Sequence, residues 1–145
     1  MSGLGHAAGY RDLLVYKRSR ELAKAIFLMS RSFPKEETYS LTDQIRRSSR
    51  SIGAQIAESW GKRRYEPHFI TKLTDADGEQ YETCHWIETA LDCGYLDETI
   101  TRDLVQRCEE IGRLLNGMIA KSAQFCQTDT RSLRETAPEY LIDEE

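Results

Sequence analysis

The stretch that decides the fold is LTDQIRRSSRSIGAQIAESWGKRR, residues 41–64. At the 100° per residue of an α-helix, its apolar side chains and several serines fall on one face. That face comprises Leu41, Ile45, Ser48, Ser49, Ile52, Ile56 and Ser59. A helix that is apolar on one face and polar on the other buries the apolar face against its neighbours. The stretch therefore predicts a closely packed central helix in a helical bundle.

Three other segments repeat apolar side chains every three or four residues, which is the helical pattern. They span residues 12–32, 67–93 and 99–125. The connections between the four segments are only a few residues long, so consecutive helices run in opposite directions. No segment shows the alternation of apolar and polar residues that is typical of a strand. We predict an all-α fold, an antiparallel up-down-up-down four-helix bundle.

Local signals predict where the helices begin. We expect Asp12 to cap the first helix and Ser40 to open a capping-box-like start of the second. Either Asp97 or Thr99 caps the fourth helix. Ile100 is expected on the inner seam of that helix, because it begins a repeat of about 3.5 residues. These assignments set the register in which the helices meet.

A chain of 145 residues has the length of one domain. Residues 1–9 are rich in glycine and alanine and are expected to be flexible. Residues 10–127 hold the four helical segments and form the bundle. Residues 128–145, TDTRSLRETAPEYLIDEE, are acidic and lose the helical pattern, which predicts a disordered tail. Docking of its Tyr140, Leu141 and Ile142 on a partner is the alternative for this tail.

The sequence argues against several classes of protein. The longest apolar run, residues 25–29, is far shorter than the ~20 residues of a membrane span. The N-terminus lacks a secretion signal, so we expect a cytoplasmic protein without membrane contact. The four cysteines form no C-x-x-C pair, which favours reduced, packed thiols over a metal site.

Enzyme signatures are absent from the sequence as well. There is no phosphate-binding glycine loop, no G-x-S-x-G and no H-E-x-x-H. One E-x-x-H, from Glu82 to His85, matches half of the di-metal site that helical bundles hold, but no second copy accompanies it. We therefore expect no enzymatic activity, no metal and no cofactor. A metal-dependent enzyme that uses Glu82 and His85 is the rival hypothesis.

Charge is divided unevenly along the chain. Residues 1–64 contain 13 Lys and Arg against 6 Asp and Glu, a net charge of +7, whereas residues 65–145 contain 7 against 18, a net charge of −11. Such a division is typical of a nucleic-acid face on the basic half or of pairing between the halves. The cationic candidates are Arg46, Arg47 and Arg50 of helix two, Lys62, Arg63 and Arg64 after it, and the helix-one stripe Lys17, Arg20 and Lys24.

Two uses of these cations stay open. The first is contact with the phosphates of RNA or DNA, for which Trp60 and Tyr65 lie nearby in sequence as stacking groups. The second is pairing of Arg47 and Arg50 across a subunit boundary, either with Glu58 or with the acidic third and fourth helices.

Apolar residues outside the predicted core favour self-association. Leu28 lies on the outward side of helix one, and Trp60 lies off the central stripe of helix two. Surplus apolar surface of this kind suggests burial between subunits. With the charged Glu58, these residues are candidates for a subunit interface. The sequence itself does not set the number of subunits.

The order and spacing of several motifs resemble a known family. The motifs are Phe33-Pro34, QIRR at residues 44–47, Ser51-Ile52 and IAE at residues 56–58. Over roughly residues 10–125 the chain resembles the small four-helix-bundle proteins encoded in intervening sequences of bacterial large-subunit (23S) ribosomal RNA genes. It departs from the pattern of that family at Gly53, Gln55 and Ser59.

This resemblance implies a bundle that assembles as a cyclic homopentamer and has no established enzymatic activity. The family is related in fold to the accessory variability proteins of diversity-generating retroelements, which bind nucleic acid and a reverse transcriptase. We therefore predict a non-enzymatic, oligomeric binding or scaffold protein that contacts structured RNA or other nucleic acid through the helix-two arginines. The alternative is an interaction module for a genetically linked protein partner such as a reverse transcriptase.

Overall fold

A computed structural model describes residues 7–126 of the chain. Its four long helices are α1 (Leu14–Ser30), α2 (Asp43–Trp60), α3 (Glu66–Asp92) and α4 (Glu98–Ala120). A short 3₁₀ turn at Tyr10–Asp12 precedes α1. A 3₁₀ turn at Lys35–Glu37 and a π-helical turn at Thr38–Thr42 precede α2. A last helical turn spans residues 122–126. The part of the chain that the structure describes contains no strand, so the predicted all-α class is confirmed.

Each helix packs against two neighbours around a shared core. Helix α1 contacts α2 and α4, and α3 contacts the same two helices, with the α2–α3 contact the most extensive. Ser48, early in α2, receives a hydrogen bond from Thr83, late in α3, whereas Glu58, late in α2, pairs with Lys72, early in α3. These contacts require α2 and α3 to be antiparallel. The predicted up-down-up-down bundle is confirmed.

The inward face of residues 41–64 forms the centre of the core. All seven side chains predicted for this face are buried, and Ile45, Ile52 and Ile56 are 0 % exposed. The buried hydroxyls are satisfied, because Ser59 donates to the Ile56 carbonyl at 2.6 Å and Thr83 donates to Ser48 at 2.9 Å. A buried hydroxyl without a partner would cost about 1–3 kcal/mol. The serines thus allow close helix packing without an unpaired polar atom.

Three local predictions differ from the structure. Asp12 does not cap α1, which begins after Leu13; its carboxylate instead accepts a hydrogen bond from the Ala8 amide at 2.9 Å. Ser40 lies inside the π-helical turn, and α2 begins without a side-chain cap. Ile100 is 43 % exposed, since the buried stripe of α4 continues from Leu104 to Thr101 rather than to Ile100.

Other assignments fall partly outside the described residues. The cap predicted at Asp97 is present, because its carboxylate accepts the Ile100 amide at 2.8 Å. Of the flexible N-terminus predicted for residues 1–9, only residues 7–9 are described. The tail predicted for residues 128–145 lies wholly outside the described residues, as does residue 127 of the predicted bundle. Among the described helices, none combines the length and the apolar character needed to span a bilayer.

Candidate nucleic-acid interface

An open cleft of about 550 Å³ lies between α1 and α2. Its aromatic and cationic lining comes from both helices and consists of Tyr16, Arg20, Lys24, Phe27 and Arg50. Three of the predicted cationic candidates, one from helix two and two from helix one, therefore line one depression. These cations meet because α1 and α2 pack side by side, so residues on the outer surfaces of both helices border the same cleft.

Small side chains explain why a cleft remains between two packed helices. Its floor consists of Ser19, Ala23, Ser49, Gly53, Ala54 and Ala57. The helices approach closely at Gly53, where a β-carbon would lie 3.1 Å from the Ser19 hydroxyl oxygen. On either side of this contact the alanines are too short to fill the space between the helices. The small side chains that let the two helices approach each other thus also form the floor of the cleft.

Arg46 and Arg50 lie over the aromatic wall of the cleft. Their guanidinium carbons are 4.8 Å and 5.7 Å from the centre of the Phe27 ring. Arg46 also donates a hydrogen bond from Nε to the Ser30 hydroxyl at 2.8 Å. A cation over a ring face is worth about 0.5–1 kcal/mol at an exposed site. These contacts orient both arginines without neutralising their charge.

Arg20 extends the same positive surface along α1. It donates to the Tyr16 hydroxyl at 3.3 Å, and its guanidinium carbon lies 5.8 Å from that ring. Lys24 is exposed one turn further along the helix. Between residues 7 and 126, no carboxylate forms an ion pair with any of the four cations Arg20, Lys24, Arg46 and Arg50. We call these four residues the cleft cations.

Arg47 has a different role from its two helical neighbours. Its guanidinium lies 2.8 Å from a Glu82 oxygen and 3.4 Å from a Glu79 oxygen, both on α3. The hydrogen bond to Glu82 raises the pKa of Arg47. The pKa of Glu82 is lowered, chiefly because its carboxylate accepts the indole N–H of Trp86 at 3.0 Å and secondly because Arg47 donates to it. Arg47 therefore ties α2 to α3 within one chain.

The cations after α2 lie at the end of the bundle. The Arg63 guanidinium carbon lies 3.9 Å from the Trp60 ring centre, and its Nε donates to the Trp60 carbonyl at 2.9 Å. Lys62 and Arg64 are exposed. They lie in the turn that follows Trp60, the last residue of α2. None of these three residues is among those that line the cleft, which reaches Ala57.

The interface candidates also differ in their surroundings. Leu28 is 51 % exposed on the outer side of α1. Glu58 forms an ion pair with Lys72 of the same chain at 2.8 Å. Trp60 is half-buried beneath the Arg63 guanidinium. Lys17, the remaining residue of the helix-one stripe, is exposed. Of the three interface candidates, Leu28 alone presents a largely uncovered apolar side chain.

The residues of the rival metal hypothesis are engaged elsewhere. Glu82 binds Arg47 and Trp86, and the exposed His85 ring lies 4.7 Å from the Trp86 ring centre. Within the described range, no group of three or more His, Cys, Asp or Glu is placed to hold a metal ion. Cys108 is buried. The pKa of its thiol is raised, chiefly by the hydrogen bond with the Cys84 thiol and secondly by burial.

Sequence reasoning missed the aromatic wall of the cleft. The sequence did not identify Tyr16 and Phe27 as site residues, yet Phe27 is 36 % exposed and both rings lie beside arginine guanidinium groups. A signal was present for one of them, because Arg20 follows Tyr16 by four residues and such pairs meet on a helix. No local signal connects Phe27 with Arg46 and Arg50, since that contact forms only when α1 and α2 pack.

Together the fold and the site define a class of protein, the all-α four-helix bundle with a cationic cleft between two helices. The chain belongs to the 23S rRNA-intervening sequence protein family, whose family model matches residues 11–117. It is similar to the crystal structure of a protein of unknown function from the S23 ribosomal protein family of Bacteroides thetaiotaomicron. The two share 29 % identity and a TM-score of 0.66, over 74 % of this chain and 96 % of that one. A comparison with curated proteins finds no match. The predicted family is thereby confirmed.

Proposed function

We propose that this protein is a non-enzymatic RNA-binding protein that holds structured RNA against the cleft between α1 and α2. The observation that carries the proposal is the set of four cleft cations, which converge on one surface and have no carboxylate partner in the described part of the chain. Phosphate groups are the natural partners of such a surface, because arginine donates paired hydrogen bonds to their oxygens.

The distribution of charge supports RNA despite the overall net charge of −4. The acidic residues are concentrated after residue 64, and α3 uses Glu79 and Glu82 to neutralise Arg47 on the far side of α2. The α1–α2 surface therefore keeps its positive charge. The family description refers to intervening sequences of 23S rRNA, which supports structured RNA as the first polyanion to test.

Titration of a labelled RNA hairpin at several salt concentrations tests this function. If all four cleft cations contact phosphates, the slope of log K against log salt is about −3 to −4, so affinity falls about 100-fold between 50 and 200 mM salt. Fluorescence anisotropy of the hairpin measures the affinity, and a DNA hairpin of the same sequence serves as the comparison. Absence of binding at 50 mM salt, or an affinity that ignores salt, would refute the proposal.

The second part of the proposal is self-association through the outer side of α1. Leu28 supports it, because a leucine that is 51 % exposed on the surface of a helix is more stable when a partner covers it. The family resemblance sets the expected number of subunits at five. Light scattering is expected to report about five times the 16.7 kDa mass of one chain.

A matched pair of variants tests this assembly. Leu28→Asp should lower the mass towards that of one chain, because a carboxylate on the covered patch would lose its hydration. Tyr81→Asp changes a 67 % exposed residue on α3, the helix diagonally opposite α1, and should leave the mass unchanged. A single-chain mass for the unmodified protein at micromolar concentration would contradict self-association.

A further inference from the structure

The segment at residues 139–145, EYLIDEE, matches the cleft in its chemistry. It has four carboxylates, from Glu139, Asp143, Glu144 and Glu145, around the apolar run at residues 140–142, and it contains no cation. Three cations, Arg20, Lys24 and Arg50, line the cleft around a floor of small residues and the rings of Tyr16 and Phe27, and Arg46 lies beside them over the Phe27 ring. We propose that this segment, which lies outside the described residues, docks in the α1–α2 cleft of its own chain and competes there with RNA.

Charge complementarity is the first argument for this occupant. The segment carries four negative charges, and the three cations that line the cleft, together with Arg46 beside it, have no ion-pair partner between residues 7 and 126. Opposite charges attract most strongly where they are partly shielded from water, as over the Phe27 ring. No other run of seven residues in the sequence combines four acids, three consecutive large apolar residues and no base.

The shape of the cleft suits the apolar part of the segment. Its volume of about 550 Å³ lies within the ~300–1,000 Å³ that is typical of ligand sites. The lined stretch of α1, from Tyr16 to Phe27, is about 17 Å long at 1.5 Å per residue. Seven extended residues span about 23 Å at 3.3 Å per residue, so the segment covers the full cleft. Its apolar side chains then lie over the alanine floor.

The chain is long enough to reach the cleft. Phe125 stacks on Phe69 at 5.6 Å between ring centres, which places the last described residues beside the start of α3. The start of α3 is joined by a short turn to Trp60, the end of α2. Trp60 lies one helical turn beyond Ala57, which lines the cleft. Twelve residues separate Cys126 from Glu139 and span up to about 40 Å when extended. A diagonal across four helices packed 8–10 Å apart is only about 13 Å.

Chymotrypsin cleavage of the full chain after Tyr140 tests docking without RNA. Mass spectrometry follows the release of residues 141–145. In the variant Arg20→Glu/Arg50→Glu the cleavage rate should rise about tenfold, because proteolysis tracks the population of the undocked segment. The control Arg102→Glu/Arg113→Glu makes the same change of net charge at two exposed residues of α4 and should leave the rate unchanged.

The outcomes of this test are distinct. Equal cleavage rates in the unmodified chain and the cleft variant overturn docking, and so do equal increases in both variants. Protection that grows with protein concentration overturns docking within one chain, because it assigns the segment to a second copy. Circular dichroism of both variants confirms that the helices persist, as expected for substitutions at exposed positions.

The competition with RNA rests on the proposed function and has its own measurement. Replacing the four acids of the segment, as Glu139→Gln/Asp143→Asn/Glu144→Gln/Glu145→Gln, should raise RNA affinity about tenfold, because the empty cleft no longer has to release its occupant. The control variant Asp75→Asn/Glu88→Gln/Asp92→Asn/Glu109→Gln removes four exposed acids from α3 and α4. Its RNA affinity should change much less.

Equal gains in both four-acid variants would show a general charge effect and overturn the competition. Loss of Tyr140 protection in the cleft variant together with an absence of RNA binding would refute the proposed function and leave docking in place. The reverse result, RNA binding without any protection of Tyr140, would refute docking alone. The two proposals therefore fail in different experiments.

Discussion

Ile52→Asp is expected to abolish the folded state. Ile52 lies at the centre of the face of α2 that packs into the core and is 0 % exposed. Truncation of a buried isoleucine to alanine costs about 2–5 kcal/mol, and a buried unpaired carboxylate adds several more. Small domains are stable by only about 5–15 kcal/mol, so the sum removes most of that margin. Far-UV circular dichroism and urea unfolding measure the loss.

Two further variants make this prediction specific to burial at residue 52. Ile52→Val should cost about 1 kcal/mol, since it removes one methyl group from the same site. Tyr81→Asp introduces the same carboxylate at a residue that is 67 % exposed and should cost about 1 kcal/mol or less. Cooperative unfolding of Ile52→Asp with a loss below 1 kcal/mol would contradict the central position of α2.

Reversing the charge of the cleft is expected to remove RNA affinity. The variant Arg20→Glu/Lys24→Glu/Arg50→Glu replaces three exposed cations by carboxylates. It should weaken binding of the RNA hairpin by at least about 100-fold and reduce the salt slope by about 3, because each phosphate contact contributes nearly one unit. Anisotropy titration at low salt, where the unmodified protein binds most tightly, gives the widest range for this measurement.

The control variant has the same net charge as the cleft variant, but its three substitutions lie on the opposite part of the sequence, at or near α4. Arg102→Glu/Arg113→Glu/Lys121→Glu alters three exposed cations at or near α4. It should lose much less affinity if the cleft is the binding surface. An equal loss in both variants would show that the whole field of the protein, and not the cleft, attracts RNA.

The variant Arg47→Ala tests whether Arg47 has a different role from Arg46 and Arg50, the other two arginines of α2. Because Arg47 is engaged by Glu79 and Glu82, we expect RNA affinity to stay within about twofold. Loss of its exposed ion pairs should lower the free energy of unfolding by only about 1 kcal/mol or less. A large loss of RNA affinity in Arg47→Ala would place the RNA on the α2–α3 side of the bundle.

Most of the fold was accessible from the chain alone because helical periodicity is a local property. The seven residues of the inner face of 41–64 are all buried, and the four helical segments occur where apolar residues recur. Errors were confined to helix ends, as at Asp12 and Ile100, where a neighbouring turn decides which residue caps a helix or enters the core. The four-helix architecture and the family follow from the pattern without any contact having to be known.

The sequence by itself determined which residues are cationic, which face of each helix is apolar and which family the chain resembles. Only the tertiary structure decided that Arg46 and Arg50 face α1 over Phe27 while Arg47 faces the acids of α3. The physical reason is that adjacent residues on a helix point about 100° apart, so one run of arginines reaches two different neighbours. Whether a cation is neutralised depends on those neighbours, and packing alone supplies them.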